Sequence, residues 1–248
     1  MRRSPGSALI RRGGGVLAAA VLTLALGALA PESDAKSDPR IYALKNGKAK
    51  ILGTRASDWT LQWWQWVSSL PVSVNPLFEE TGELVEVGQR EPVWFLGGVF
   101  NESGVTVRTA TIPAGKALLI PLMNGGADNV GVDPPRSLDE LRAFAEEGLA
   151  LVDPESLFLT IDGEEVPDLA GGSVIAGPLT WWMPEGNLFQ YFGYVAPRGV
   201  YSPGIMWGYW VMVRPLPLGE HTIHFGASSG GFTLDITYNL TVVESNQP

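Results

Sequence analysis

Four glutamates in one short stretch are the residues that most directly suggest acid–base catalysis. Glu79, Glu80, Glu83 and Glu86 lie in a segment that also contains the Thr81-Gly82 dipeptide. Glycoside hydrolysis requires two carboxyl groups about 5–10 Å apart across a cleft, one of them protonated. Glu79, Glu80 and Glu83 are therefore weak candidates for the catalytic residues of a hydrolase or lyase. An exposed acidic loop is the simpler interpretation.

The chain has two histidines, His221 and His224, and they are the other weak candidates for catalysis. They lie three residues apart on a predicted strand, whose two-residue period directs them to opposite faces. One metal ion could not easily bind both, and with no cysteine and no third histidine a typical zinc or copper site is not expected. The one Gly-x-Ser-x-Gly match, Gly226-Ala227-Ser228-Ser229-Gly230, lies between two predicted strands and not at a strand-to-helix elbow, so it identifies no serine nucleophile. Structural roles are the favoured interpretation.

Oxygen-bearing side chains are concentrated in a glycine-rich stretch that is predicted to be a loop. Asn124, Asp128, Asn129 and Asp133 would suit calcium, which prefers carboxylate and amide oxygens. Their spacing does not match the EF-hand loop, and Asn, Asp and Gly are also ordinary turn residues. We expect no cofactor, and calcium binding at these four residues is the less favoured alternative.

Large aromatic residues in the second half of the chain suggest ring stacking. Adjacent residues of a strand point to opposite faces, so one of Trp181 and Trp182 is predicted to face outward. Tyr191 and Trp207 lie on further predicted strands. An exposed row of flat rings can hold a sugar chain or another apolar partner, whereas large rings are also ordinary core residues. Trp181, Trp182, Tyr191 and Trp207 are the predicted ligand-binding residues.

The elements that position these residues begin with a tryptophan-rich helix. Four of the nine tryptophans lie between positions 59 and 66. Trp59, Trp63 and Trp66 share one helical face, and Ser57 is placed to cap a helix over residues 57–70. Because apolar side chains extend almost all the way round it, we predict that this helix is a buried plug against the rest of the fold.

A second helix is predicted over residues 137–148. Ser137 and Glu140 form a capping box, in which the serine caps the first turn and the glutamate reaches back to it. Leu141 and Phe144 belong to the apolar stripe that follows, and Gly148 is expected to end the helix.

The remaining chain has the pattern of short strands separated by glycine and proline turns. Strands are predicted at residues 92–99, 105–112, 117–122, 157–161, 164–166, 173–182, 188–195, 207–213, 220–225 and 232–242. We expect residues 105–112 to pair near 92–99, and Asp162-Gly163 predicts a hairpin. The predicted fold class is mainly β: an immunoglobulin-like or jelly-roll-like β-sandwich with an N-terminal Trp-rich helix and one inserted capped helix.

Residues 1–30 are typical of an export signal. A basic start precedes an apolar run over residues 16–30, which is short for a membrane span of about twenty residues. Cleavage is expected after Ala30 or, alternatively, after Ala35, and an uncleaved anchor is the other interpretation. Residues 31–56 are predicted to be a polar leader, and 57–248 a single β-sandwich domain. We expect an extracytoplasmic location and no membrane span after signal removal.

The charge balance narrows the class of partner. The chain carries a net charge of −9, and removing residues 1–35 leaves 13 basic and 24 acidic residues. Nucleic acid and anionic lipid require clustered cations, so neither is expected as a partner. With no cysteine to form disulfides, stability outside the cytoplasm must come from the hydrophobic core.

Two resemblances can be stated on particular motifs. Residues 159–163 and 218–223, with the long closing strand, resemble the hairpins of immunoglobulin-like sandwiches. A longer series over residues 57–243 resembles a set of secreted microbial proteins; its motifs are Asn75-Pro76, Thr81-Gly82, Gly88-Gln89, VWFL at 93–96, IPAGK at 112–116, residues 121–124 and PLxxGEHTIHF. That resemblance implies secretion, a β-rich fold and cysteines in relatives near Val85 and Ala110. It implies no particular chemistry.

The sequence therefore predicts an exported binding module without catalytic activity, for a carbohydrate or a cell-envelope ligand. An extracellular hydrolase or lyase that acts on polysaccharide or ester substrates through paired carboxylates is the first alternative. A structural envelope protein that assembles through open sheet edges is the second.

Overall fold

Two five-stranded sheets form the framework of the protein and confirm the predicted mainly β, sandwich-like fold. The structure, a computed structural model, describes residues 38–90, 92–100 and 104–245. The predicted signal peptide and both cleavage sites lie outside these residues. No helix in the described part of the chain is both long and apolar enough to span a bilayer.

The described residues form twelve strands and three α-helices. The strands are β1 (Ile41–Tyr42), β2 (Lys50–Ile51), β3 (Thr54–Arg55), β4 (Val93–Phe95), β5 (Val105–Pro113), β6 (Ala117–Asp128), β7 (Phe158–Ile161), β8 (Glu164–Glu165), β9 (Ser173–Met183), β10 (Gly199–Val213), β11 (Gly219–Ser229) and β12 (Phe232–Val243). The helices are α1 (Ala56–Ser68), α2 (Leu138–Ala150) and α3 (Leu188–Tyr191).

The first sheet, here called the β10 sheet, is organised around its longest strand. β10 runs antiparallel to β6 on one side and to β9 and β1 on the other, and β4 joins β6 in parallel. The second sheet, the β12 sheet, has the order β5-β12-β11-β7-β8. The predicted pairing of residues 105–112 near 92–99 is wrong, because β5 pairs in parallel with β12 in the other sheet. The immunoglobulin-like or jelly-roll-like class stays a prediction.

The sandwich core lies between the two sheets. In β12 the buried Leu234, Ile236 and Tyr238 alternate with more exposed residues, as the sequence predicted for a half-buried strand. They meet Ile120 of β6 and Val211 of β10 in one hydrophobic cluster. Burying a side chain of this size contributes about 1.5–3 kcal/mol, so this interface contributes strongly to stability.

Helix α1 covers the outer face of the β10 sheet and confirms the predicted plug. Trp59, Trp63 and Trp66 are all buried, and Trp63 Nε1 donates a 2.7 Å hydrogen bond to the Leu96 carbonyl. The predicted cap at Ser57 is wrong, because the helix begins at Ala56 and no side chain caps it.

Part of the predicted polar leader is also wrong. Leu44 and Ile51 are buried in the hydrophobic cluster around α1, and the β2–β3 hairpin leads directly into that helix. Lys45, Lys48 and Lys50 are exposed around these short elements, so the polar composition of the segment did not indicate a linker.

Helix α2 packs on the end of the β10 sheet. Its capping box at Ser137 and Glu140 is confirmed, and Leu141 is buried against Ile205 of β10. Two details of the prediction are wrong. Phe144 is exposed, and Gly148 lies inside the helix, which continues to Ala150.

The strand predicted over residues 188–195 is wrong as well. Asn187 is buried, and its side-chain oxygen accepts hydrogen bonds from the backbone N–H groups of Phe189 and Gln190, which starts the short helix α3. An asparagine at a helix N-cap competes effectively with a strand for a short apolar segment.

Candidate ligand-binding cleft

The end of β6 is the element that creates the candidate site. β4 pairs with β6 only as far as Leu119, whereas β10 remains paired with β6 up to Asp128. No described strand lies on the other side of residues 124–128, so this end of β6 is an open edge. The predicted loop at 124–128 is wrong, because β10 holds these residues in the sheet.

A cleft of about 480 Å³ lies around this edge. Its walls come from β6 and the following loop, from α2, from α3 with the residues after it, and from β10. The lining residues are Gly126, Ala127, Asp128, Val130, Val132, Arg136, Phe144, Gly148, Leu188, Phe189, Phe192, Tyr194 and Trp207. Five of these carry aromatic rings, and the charged members are Asp128 and Arg136.

Trp207 forms the back wall of the cleft, held between two glycines. A Cβ added at Gly148 of α2 would lie 2.6 Å from Trp207 Nε1, and one added at Gly125 of β6 would overlap the same ring. Both positions therefore need glycine for the indole to fit between helix and strand. This close approach explains why a glycine occupies this position inside α2 despite its low helix propensity.

The segment after α3 presents the outer rings. Asn187 Nδ2 donates 2.8 Å hydrogen bonds to the carbonyls of Pro184 and Ala196, which ties both ends of the segment together. Phe192 and Tyr194 are about half exposed on this closed loop and lie at the mouth of the cleft. The rings are thus exposed side chains on a hydrogen-bonded frame.

Asp128 is the acidic group at the base of the cleft. Its Oδ1 accepts a 2.8 Å hydrogen bond from the Val130 N–H. Burial raises the pKa of this carboxyl above its ordinary value, although the Val130 N–H and the charge of Arg136 act in the opposite direction. The guanidinium carbon of Arg136 lies 4.6 Å from the centre of the Phe144 ring, so its charge is placed beside α2.

The four predicted ligand-binding residues do not form one surface. Trp207 lines the cleft, while Trp181 is only 3% exposed and belongs to the hydrophobic cluster beneath it. Trp182 faces outward, as predicted for one of the pair, and lines a separate depression with Arg90. Tyr191 is exposed and packs against Phe78, outside the cleft.

The predicted calcium ligands are separated by the strand geometry. Asn124 and Asp128 lie within β6, and Asn129 is committed to the backbone of Arg136, to which its side chain both donates and accepts a hydrogen bond. Asp133 is exposed in the loop that follows. Within the described residues, no three acidic or histidine side chains are grouped to hold a metal ion. Calcium binding stays a prediction.

The candidate glutamates lie elsewhere, at the turn before β4. Glu79 Oε2 accepts hydrogen bonds from the N–H groups of Thr81 and Gly82 and from the Thr81 hydroxyl. Burial alone would raise the pKa of Glu79, but these bonds and the nearby Arg108 lower it. An ionised, internally bonded carboxylate is a poor proton donor. Glu80 and Glu83 are on the same turn, and neither lines the cleft.

The two histidines are held by carboxylates of the β12 sheet. His221 Nδ1 lies 2.8 Å from Asp162 Oδ2, and its Nε2 lies 3.0 Å from the Pro217 carbonyl. His224 Nε2 lies 2.8 Å from Asp235 Oδ1. Neither histidine lines the cleft.

Of the thirteen residues that line the cleft, only Asp128 and Trp207 were predicted as site residues. The missed ones include Phe192 and Tyr194 after α3, and Arg136, Phe144 and Gly148 at the α2 wall. The sequence carried a weak signal for one of them. Gly148 interrupts a good helix without ending it, which indicates a packing requirement. Nothing in the local pattern of Arg136 or Phe144 distinguishes a wall of a cleft from an exposed helix end.

Comparison with known proteins gives no match: no family model fits the chain, and no curated protein or solved structure is similar to it. The resemblance to secreted microbial proteins stays a prediction, and the geometry of the cleft is the basis for a functional assignment.

Proposed function

We propose that this is an exported binding protein without catalytic activity, whose ligand is a carbohydrate or another component of the cell envelope. The observation that supports the proposal is the 480 Å³ cleft with five aromatic rings and two opposed charged side chains. Small-molecule sites are typically concave, about 300–1,000 Å³ in volume, and mostly apolar with a few polar groups that fix orientation.

The chemistry of the cleft suits a sugar ring. A sugar has an apolar face of C–H groups, which can stack on a flat aromatic ring such as Tyr194 or Phe192, and a hydroxyl-rich rim. Asp128 can accept hydrogen bonds from that rim, and Arg136 can donate to it. The Asn187 hydrogen bonds hold the backbone segment that carries both rings, which reduces the entropy lost on binding.

Two tyrosines on the same segment offer a matched test of the site. Tyr194 and Tyr191 are 54% and 60% exposed, but only Tyr194 lines the cleft. The binding of a panel of envelope and plant glycans would be measured by isothermal titration calorimetry and tryptophan fluorescence. We expect Tyr194→Ala to weaken binding about tenfold or more, and Tyr191→Ala to leave it unchanged.

Other outcomes would contradict the proposal. If Tyr191→Ala or Trp182→Ala loses binding and Tyr194→Ala does not, the ligand binds on the outer surface and not in the cleft. Binding of none of the panel by the wild-type protein would remove the carbohydrate assignment.

The hydrolase or lyase alternative needs a second carboxyl beside Asp128. None of the other described residues that line the cleft carries one, and Glu79 is held ionised in its own turn. We therefore expect the wild-type protein to hydrolyse neither aryl glycosides nor aryl esters. Hydrolysis by the wild type that is abolished in Asp128→Asn would favour the hydrolase alternative.

A further inference from the structure

A small apolar pocket lies beside the cleft, where the open edge of β6 begins, and is here called the side pocket. It has a volume of about 70 Å³ and lies between α1, β6 and the start of β12. Leu77, Val99, Met123 and Leu234 are buried apolar residues of its walls. No described lining residue is charged, and only Asn124 and two tryptophans of α1 carry a side-chain nitrogen. The side pocket therefore suits an apolar group.

Exposed aromatic rings connect the side pocket to the cleft. Phe100 and Phe232 line the side pocket and are nearly half exposed. The ring centre of Phe100 lies 5.2 Å from that of Phe192, which is also about half exposed and lines the cleft. Phe78 packs beside both, with its ring centre 5.4 Å from Phe100 and 6.2 Å from Phe192. Contiguous exposed apolar surface usually marks an interaction site, so these rings indicate a binding surface.

The two sites also share one stretch of β6. Asn124 lines the side pocket, and Gly126 lines the cleft. Two residues along a strand correspond to about 7 Å. The contact between Phe100 and Phe192 joins the same two sites through side chains. A single molecule of modest length can therefore occupy both sites.

The geometry favours a hydrocarbon chain as the occupant of the side pocket. A dry apolar cavity of about 150 Å³ can hold a benzene ring, so a pocket of about 70 Å³ suits the end of a narrower chain. A charged group would find no opposite charge among the described lining residues. A peptide would bring backbone N–H and C=O groups over the rings of Phe78, Phe100 and Phe192, which offer no conventional hydrogen-bond partner. An alkyl chain has no polar group that needs one.

We propose that the side pocket binds the end of an alkyl chain. The ligand is then an amphiphile, whose sugar-bearing part lies in the cleft and whose chain crosses Phe192 and Phe100 to reach the side pocket. The inference rests on the proposed function and narrows its ligand class to glycans that carry an alkyl or acyl chain. Each buried methylene of such a chain strengthens binding about fourfold.

The first experiment varies the chain and keeps the sugar constant. Binding of methyl, butyl, hexyl and octyl β-D-glucopyranoside would be measured by isothermal titration calorimetry, each below its micelle concentration. We expect the affinity to rise with chain length, by tenfold or more between the methyl and octyl compounds. Equal affinities across the series, or no binding of any member, would overturn the inference.

The second experiment fills the side pocket. A Cβ at Gly98, a lining residue, would lie 3.5 Å from the Leu234 side chain, which is an ordinary contact, and would meet no backbone atom within 4 Å. Gly98→Val should therefore remove most of the gain in affinity from methyl to octyl glucoside. Gly171→Val is the matched control, because a Cβ at Gly171 has no atom within 4 Å and Gly171 lies outside the side pocket. It should retain the gain. A gain that Gly98→Val also retains would mean that the chain binds elsewhere on the surface.

The third experiment observes the side pocket directly. In protein labelled with ¹³C at the methionine methyl groups, the Met123 signal would be assigned by comparison with Met123→Leu. We expect octyl glucoside to shift this signal saturably and methyl glucoside to leave it in place. Met212 is the internal control, because it is buried in the hydrophobic cluster around α1 and does not line the side pocket. Its signal should not move with either compound.

The outcomes separate this inference from the proposed function. Glycan binding that depends on Tyr194, with no gain from the chain and no shift of Met123, would leave the cleft assigned and overturn the inference. If octyl glucoside shifts Met123 equally in the wild type and in Tyr194→Ala, the side pocket is supported and the cleft proposal fails.

Two other occupants would be recognised by the same signal. A saturable shift of Met123 with N-acetyl-leucinamide would indicate a peptide in the side pocket. A shift that depends on protein concentration alone, and that Phe100→Ala abolishes, would indicate that a second copy of the chain covers these rings. Either result would overturn the assignment to an alkyl chain.

Discussion

At the scale of single residues, Asp128 and Glu79 show how surroundings decide what a carboxylate does. Burial raises the pKa of Asp128 despite one backbone hydrogen bond that lowers it, whereas hydrogen bonds from Thr81 and Gly82, together with Arg108, lower the pKa of Glu79. Asp128 is therefore costly in its charged form, and Glu79 is stabilised in it. A carboxylate that is unfavourable in its charged form, such as Asp128, is typical of a binding group. A carboxylate that is stabilised in its charged form, such as Glu79, is typical of a structural role.

Replacing Asp128 tests this difference through the pH dependence of stability. A raised pKa means that the folded protein binds the proton more tightly, so stability falls as the pH rises through the shifted range. Asp128→Asn should therefore be more stable than the wild type at pH 7, measured by urea unfolding. The gain should shrink as the pH falls and disappear below about pH 3.9, the ordinary value of an aspartate.

Glu79→Gln is the control, and we expect it to change stability in the opposite direction to Asp128→Asn. The lowered pKa of Glu79 contributes stability that is complete above the ordinary glutamate pKa, about 4.3, and is lost as the pH falls through the lowered value. The variant should be less stable than the wild type at pH 7, and the two should converge in acid. Curves that stay parallel at all pH values for both variants would contradict these assignments.

Sequence reasoning could identify these carboxylates but not their surroundings. Glu79 was singled out because it lies among other acids, and its environment depends on Arg108, a fully buried residue of β5 that is distant in the chain. Asp128 was singled out as a candidate calcium ligand in a predicted loop, and its surroundings depend on the open edge of β6. Burial is a property of tertiary contacts, so residue type and spacing alone could not supply it.

At the scale of elements, α1 is the buried plug on the outer face of the β10 sheet. Trp63 is 1% exposed, lies edge-on to Trp66 and Trp210 and bonds to the Leu96 carbonyl. Trp63→Ala should lower the free energy of unfolding by about 3–5 kcal/mol, as truncations of large core residues do. Chemical denaturation followed by circular dichroism would measure the change.

Trp182→Ala is the matched control for that loss, since it removes the same side chain from a position that is 49% exposed. It should change stability by no more than about 0.5 kcal/mol. Equal effects of the two substitutions would show that α1 is not part of the core.

The packing of α2 on Trp207 leads to a second prediction at this scale. In an exposed helix, replacing glycine by alanine stabilises by about 1 kcal/mol. At Gly148 the new Cβ would overlap the Trp207 ring, so Gly148→Ala should destabilise the protein instead, by about 1–3 kcal/mol. In a Trp207→Leu background the same change should become neutral or stabilising. If Gly148→Ala instead stabilises the wild-type protein, the Trp207 ring does not pack against Gly148.

The elements were predictable where the signal is local. The capping box of α2, the apolar stripe of α1 and the alternation of β12 each depend on neighbouring residues, and all three are confirmed. The segment after Asn187 and the partners of β5 were predicted wrongly. A four-residue helix has no period to detect, and strand partners depend on contacts between residues far apart in the chain.

At the scale of the whole molecule, the free edges of the β12 sheet bear on whether the protein assembles. One edge is β8, which has two residues, both glutamates. Short, charged edges resist pairing with another chain. The other edge is β5, which has nine residues and exposed Val105 and Val107. β5 is the strand through which an envelope protein could associate.

A turn of the same chain covers the middle of that edge. The Thr109 N–H of β5 donates a 2.9 Å hydrogen bond to the Thr81 carbonyl, and Gly82 lies directly against the Thr109 backbone. Gly82 has φ +99°, and a Cβ there would overlap the Thr109 carbonyl. Glycine is therefore required for the turn to lie on the strand, and Glu79 holds the turn by its hydrogen bonds to Thr81 and Gly82.

Removing the cover should promote association between copies of the chain through β5. Gly82→Ala forces the turn away from β5 and leaves the Thr109 N–H free to pair with another chain, so we expect concentration-dependent oligomers in light scattering where the wild type is monomeric. Gly53→Ala is the control, because Gly53 also has positive φ but has no atoms near its Cβ position; it should remain monomeric. Oligomers already present in the wild type would favour assembly as the function over ligand binding. A monomeric Gly82→Ala would mean that β5 is protected by its own exposed side chains, with the turn contributing only stability.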